Sequence, residues 1–267
     1  MIFSENRIYL MGILNVTPDS FSDGGKYNTL DNALFRAEKM LKEGADIIDV
    51  GGESTKPFSE SVSIENELER VIPVVEKINR NFKCIISIDT YKSRVAEEAI
   101  KNGAKIINDI SGFCFDDDME KVALKYNAAS IIMHIKGTPK DMQINPFYEN
   151  VVDEVYNFLK DKSERLKSKG LSEIVIDPGF GFGKSLEDNY KLLRNLSKFK
   201  EINCPILAGI SRKSMIGKVT NIPPEDRLPG TIALNSIAIL NGANIIRCHD
   251  IAENFQAIKI VEKYNVP

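Results

Sequence analysis

Only four cysteines, Cys84, Cys114, Cys204 and Cys248, occur in the 267 residues, and they lie far apart. No C-x-x-C pair or Cys/His cluster is present, so the spacing fits neither a zinc site nor a disulfide framework. Thiols set mostly inside apolar runs read as buried and reduced, which is the state expected of a cytoplasmic protein. Charge of one sign is missing too: 35 Lys and Arg against 38 Asp and Glu leave a net −3. No global basic field recommends a nucleic acid or a membrane surface, and an anionic ligand has to be held by local cations. No apolar run approaches membrane-spanning length, and Met1–Gly12 lacks the basic start and apolar core of a signal peptide. Linkers, low-complexity tracts and charge blocks are absent, so residues 1–267 read as one domain.

What the chain does have is alternation. Eight short runs rich in Ile and Val read as strands: Arg7–Leu14, Asp46–Val50, Cys84–Ile88, Lys105–Asn108, Ala129–His134, Glu173–Asp177, Pro205–Gly209 and Asn244–Cys248. They are apolar on successive residues, the pattern of strands covered on both faces in a parallel sheet. Helical stretches lie between them. Leu30, Ala33, Leu34, Ala37, Met40 and Leu41 form one stripe, and Pro229 stands where a helix would start. Asn145–Gly170 is the longest helical candidate. Eight strand-plus-helix units predict an α/β protein of the (β/α)8 TIM-barrel type. A doubly wound open sheet shares the same periodicity.

In a parallel barrel the C-terminal strand ends share one face, where sites are built. Along that edge stand Asn15; Glu53, Ser54 and Thr55; Asp89; Asn108; His134; Asp177; Ser211, Arg212 and Lys213; Arg247 and His249. Strand ends are polar wherever they meet solvent, but solvent alone would scatter Lys, Glu and Ser rather than Asp, Asn, His and Arg. Asp89, Asn108 and Asp177 suit the N–H edge of a planar nitrogen heterocycle. Arg212, Lys213, Arg247 and His249, on two neighbouring ends, suit an anion. Ile176–Ser185 ends in Gly-Lys-Ser, yet Pro178 stands where a phosphate loop needs its first glycine, so it fails as one. It reads instead as a glycine-rich turn that presents Phe182 to a flat ligand.

These segments resemble the dihydropteroate synthase family. The likeness runs in order through "MGILNVTPDSFSDGG", "DVGGEST.P", "SIDT", "IINDISG", "MH..GTP..MQ", "DPGFGFGK", "GISRKS" and "GT..LN..A...GA.I.R.HD". The resemblance implies a transferase of folate synthesis, usually a homodimer. Such an enzyme joins 6-hydroxymethyl-7,8-dihydropterin pyrophosphate to p-aminobenzoate, giving 7,8-dihydropteroate and pyrophosphate, and sulfonamides are its expected inhibitors. It further implies that Asp89, Asn108, Asp177 and Lys213 hold the pterin, with Met133 and Phe182 as walls. Asn15, Arg247 and His249 would meet the diphosphate, Asn15 together with Mg2+. Ser54, Thr55, Pro57, Lys213 and Ser214 would receive p-aminobenzoate. Asp89, Asp177, Lys213, Arg247 and His249 are the expected catalytic groups, in a dissociative displacement assisted by the metal.

Thr17–Gly25 has no helical or strand period and is dense in turn-formers, so it is expected to act as a lid, with Phe21 and Asp23 closing over p-aminobenzoate and the leaving group. Lys56 and Phe58 depart from the Arg and Gly usual in that family, which changes the loop meant for p-aminobenzoate. The rival within the same superfamily is a methyltransferase barrel acting on methyltetrahydrofolate and a corrinoid protein. It needs no diphosphate-facing cations.

Overall fold

A computed structural model describes residues 2–4, 7–17, 26–55 and 58–265. All eight expected strands form: β1 (Tyr9–Asn15), β2 (Ile47–Gly51), β3 (Ile85–Asp89), β4 (Ile106–Asp109), β5 (Ala129–Met133), β6 (Ile174–Asp177), β7 (Leu207–Ala208) and β8 (Ile245–Cys248). They pair in parallel in the order β6-β5-β4-β3-β2-β1-β8-β7. A single bridge between Ile176 and Ile206 brings the last strand back to the first of that order. The sheet therefore curls into a barrel, and the open-sheet alternative falls away.

Strand alternation sorts the apolar residues into two cores. Leu10, Leu14, Ile48, Val50, Ile88, Ile107 and Ile132 face outward beneath the helices. Tyr9, Met11, Ile47, Ile106, Ile131, Val175, Leu207 and Ile245 fill the barrel interior. Phe3 closes the bottom, its ring edge-on to Tyr9 with centroids 5.3 Å apart. Continuing the inward parity toward the other end of each strand gives Asn15, Asp49, Asp89, Asn108, Met133, Asp177 and Arg247. An apolar barrel floor thus passes, strand by strand, into a polar mouth.

The strands are followed by α1 (Lys26–Lys42), α2 (Ile64–Asn81), α3 (Ser93–Lys101), α4 (Met119–Tyr126), α5 (Val151–Ser168), α6 (Leu186–Arg194), α7 (Ser214–Thr220), α8 (Leu228–Leu240) and α9 (Ile251–Asn265). The helix expected from Asn145 begins only at Val151. Asn150 caps it, accepting the Val152 N–H at 3.2 Å, and Asn145 itself is left-handed at φ 47°. With 18 residues each, α2 and α5 are equally long, so α5 does not stand alone. Pro229 does lie in the first turn of α8. The cysteines are free, as expected, and Cys204 and Cys248 are buried, but Cys114 is exposed.

Candidate active site

The register aligns the polar ends. Asn15 lies opposite Gly51, Gly51 opposite Asp89 and Asp89 opposite Asn108, while Met133 pairs with Asp177. Gly51 leaves room in this row: a Cβ there would stand 3.4 Å from the Asp89 Cβ. Asn108 and Asp177 are buried.

Arg247 is the centre of one cluster. Its Nε donates to Asp49 Oδ2 at 2.6 Å and its Nη2 to Asp89 Oδ2 at 2.5 Å. Asn108 Nδ2 donates to the same Asp49 oxygen at 3.0 Å. Burial would lower the Arg247 pKa, but Asp49 and Asp89 overcome it and the guanidinium stays charged. Burial raises the Asp89 pKa, and Arg247 opposes that rise. The carboxylate pocket and the basic edge expected from the sequence are therefore interlocked at this point. Asp49 was not among the expected residues. The signal was present, because Asp49 sits two residues from both Ile47 and Gly51 and so shares their inward face.

Lys213 centres a second cluster. Its ammonium donates to the Phe180 carbonyl at 2.5 Å and lies 4.5 Å from the centroid of the Phe182 ring. Burial pushes its pKa down to about 8, with Asp177 and Asp89 working against the fall. Asp177 Oδ1 accepts the Gly179 N–H at 2.7 Å. Burial raises the Asp177 pKa and Lys213 opposes it. Of the two phenylalanines in the glycine-rich turn, Phe180 is wholly buried in the outer core and Phe182 is half-buried.

The expected cluster of four cations does not form as such. Arg212 takes a left-handed φ of 57° and forks onto Asp250, Nε to Oδ2 at 2.9 Å and Nη2 to Oδ1 at 2.6 Å. A bidentate pair of this kind commits the guanidinium to the carboxylate. Burial, reinforced by Arg247, pushes His249 down to about 4, so its imidazole is neutral near pH 7. Lys213 and Arg247 remain as the charges of the site. Ser54 and Thr55 are half-buried just beyond β2, and Ser214 is exposed at the start of α7. Phe21, Asp23 and Pro57 lie outside the described residues, as does nearly all of the expected lid.

Mg2+ can be weighed against the donors present. Asn15 offers a neutral amide oxygen at the end of β1 and is half-buried. Among the described residues, no group of three or more His, Cys, Asp or Glu is arranged to hold an ion. That donor set suits Mg2+ carried on substrate phosphate oxygens with one protein oxygen, not an ion caged by protein alone.

The barrel mouth sets carboxylates and an amide beside an arginine and a lysine, and the chain falls in the class of pterin-binding barrel enzymes. Residues 11–249 match the sequence profile described as "Pterin binding enzyme". A dihydropteroate synthase of Clostridium beijerinckii is 48% identical over 259 residues, covering 96% of this chain and 94% of that protein. A Clostridium difficile dihydropteroate synthase, solved in the presence of pteroic acid, superposes with a TM-score of 0.94 at 45% identity, with 100% of both chains covered. The Yersinia pestis enzyme, in a sulfonamide drug complex, gives 0.93 at 43% identity over 99% of this chain and 97% of its own. The chain belongs to the pterin binding enzyme family and, within it, to the dihydropteroate synthases. The methyltransferase alternative is not favoured.

Proposed function

We infer that the chain joins 6-hydroxymethyl-7,8-dihydropterin pyrophosphate to p-aminobenzoate, releasing pyrophosphate and forming 7,8-dihydropteroate. One observation carries this reading at the level of the site: the Asp49–Arg247–Asp89 bridge lies within electrostatic reach of Lys213, which Asp177 also influences, at a barrel mouth that also holds Asn108. A pterin ring presents several N–H donors along one edge and acceptors beside them. Asp89, Asp177 and Asn108 match the donors, while the Lys213 ammonium matches the acceptors. Phe182 and Met133 offer apolar faces to the ring.

The bond that breaks joins the pterin methylene carbon to the diphosphate oxygen, and its electron pair leaves with pyrophosphate. Arg247, Lys213 and the neutral His249 supply donors for that departing charge. The carboxylates of Asp89 and Asp177 favour the positive charge left on the dihydropterin. The aniline nitrogen then bonds to the methylene carbon and gives up a proton to water. Because the cation is already formed, a strong base at the nitrogen is not required. Mg2+, held by Asn15 and the diphosphate, would supply further neutralisation of the leaving group. Ser54, Thr55, Pro57, Lys213 and Ser214 would border p-aminobenzoate, and sulfonamides would compete for the same place. Phe21 and Asp23 would close over it.

A homodimer fits the exposed Ile237 and Leu240 on α8 together with Ile260 and Tyr264 on α9, two helices that pack on each other. Four free cysteines fit a reducing compartment such as the cytoplasm.

The direct test supplies the purified chain with dihydropterin pyrophosphate, p-aminobenzoate and Mg2+, and follows pyrophosphate release. Release that depends on p-aminobenzoate is expected. Its absence would refute the reading. A pterin analogue whose ring cannot delocalise positive charge should react far more slowly, and an equal rate would exclude the dissociative order.

A further inference from the structure

The turn between β6 and α6 has an unusual economy of hydrogen bonds. All five carbonyls from Gly179 to Gly183 accept one. Gly179 O receives the Phe182 N–H at 3.1 Å. The other four receive side chains: Lys213 on Phe180 at 2.5 Å, Gln143 on Gly181 at 2.7 Å, Lys184 on Phe182 at 2.9 Å and Tyr148 on Gly183 at 2.7 Å. The shape of this turn is set by side-chain donors brought from separate parts of the chain.

Lys184 differs from the other donors in reaching two elements at once. Its buried ammonium also meets the His134 carbonyl at 3.1 Å and His134 Nδ1 at 3.1 Å. A lysine carries three N–H donors and no acceptor, so these three neutral acceptors saturate it. His134 is buried just beyond β5, where burial and the Lys184 charge push its pKa down to about 3. A neutral ring that accepts at Nδ1 carries its proton on Nε2. Burying an ammonium on neutral hydrogen-bond acceptors costs stability, and burial pushes Lys184 down to about 7 although the nearby Asp177 carboxylate opposes the fall. An apolar side chain would fill the space at lower cost.

What the lysine achieves is a fixed spacing. Gly179 and Gly183, at φ 72° and 63°, bring the turn hard against the chain leaving β5. A Cβ at Gly179 would stand 2.0 Å from His134 O, and one at Gly183 would stand 2.2 Å from Lys136 O. The same turn orients Asp177 through the Gly179 N–H and carries the Phe182 ring.

We propose that Lys184 is a positioning residue for the pterin site, tying the Gly179–Gly183 turn to His134 so that Asp177 and Phe182 keep the spacing a pterin requires. This rests on the reading of Asp177 and Phe182 as pterin contacts. The three donors of Lys184 are all taken by protein acceptors, so it acts through the turn it holds.

The pairing is tested in the wild-type protein. With two histidines in the chain, the imidazole nitrogens can be resolved by 15N labelling. At about pH 6, where an ordinary histidine is partly protonated, His134 should be neutral with its proton on Nε2. A protonated His134, or one carrying its proton on Nδ1, would overturn the proposal. The role is tested by Lys184→Met. We expect KM for the pterin substrate to rise about tenfold or more, with KM for p-aminobenzoate changed much less. Leu166→Ala, a buried change on α5, serves as a destabilised control and should leave pterin KM unchanged. A wild-type pterin KM in Lys184→Met, or an equal rise in the control, would overturn the proposal. If Lys184→Met does not fold, the imidazole nitrogens decide. Asp177→Asn separates the two layers of the argument. If it leaves pterin KM unchanged, the pocket reading falls and this proposal with it. If it raises KM and Lys184→Met does not, the positioning role alone falls.

Discussion

Arg247, near the end of the eighth strand, reaches Asp89 at the end of the third, Nη2 to Oδ2 at 2.5 Å, across the two strands between them. Its Nε meanwhile engages Asp49 on the second strand. One guanidinium thus braces the barrel mouth and keeps the two carboxylates from repelling one another.

Removing the shared guanidinium leaves the carboxylates of Asp49 and Asp89 without their cation. Arg247→Met is expected to lower unfolding free energy by about 3–5 kcal/mol, read from urea denaturation. Asp49→Ala combined with Arg247→Met removes both charges and should be less destabilised than the sum of the single variants. Strict additivity would show that the pair is not coupled.

Lys213 gives activity and stability opposite responses to alkali. Its folded pKa is lowered from 10.5 to about 8. The charged ammonium is the form that assists the substrate, so kcat/KM should fall as pH rises through about 8. The unfolded chain holds this proton more tightly than the folded one, so between about 8 and 10.5 the folded state gains from rising pH as far as this group is concerned. Lys213→Arg should carry the alkaline limb beyond the measurable range, at reduced maximal rate. The same limb retained in Lys213→Arg would assign it to another group.

Mg2+ should matter to the diphosphate and not to the ring. Calorimetric titration with pyrophosphate is expected to show tighter binding when Mg2+ is present, and Asn15→Ala should abolish most of that difference. Binding of a pterin lacking the diphosphate should be unaffected by either change. An Mg2+ effect that survives Asn15→Ala intact would remove Asn15 from the metal site.

The apolar residues left exposed on α8 make a prediction about assembly. Sedimentation of the wild-type chain should give a dimer, and Ile237→Asp with Leu240→Asp should give a monomer at the same concentration. A wild-type monomer at micromolar concentration would exclude this surface as a stable interface.

Much of the barrel was legible in the sequence, because strands buried on both faces announce themselves as short Ile- and Val-rich runs. Asp89, Asn108 and Asp177 were legible for a related reason: each stands at the last or second-last place of an apolar strand. Asp49 stayed hidden because it lies inside its strand, where only the alternation of faces reveals it. The pairing of Arg212 with Asp250 depends on two loops meeting in space, and the neutrality of His249 depends on burial. Neither leaves a mark in local spacing. Lys184 is hidden for the same reason: local spacing in the glycine-rich turn does not show that its ammonium reaches back to His134.

The barrel closes on one bridge, Ile176 to Ile206, beside a seventh strand of two residues. Each other junction in the sheet is stitched by at least two paired positions. A cylinder with one thin joint does not breathe evenly: local opening disrupts the fewest hydrogen bonds there. The amide of Ile176, bonded to the Pro205 carbonyl at 2.9 Å, should accordingly exchange with deuterium sooner than its counterparts on β2 and β3. Asp177 follows immediately on that strand, so the carboxylate facing the pterin is mounted at the most yielding point of the wall.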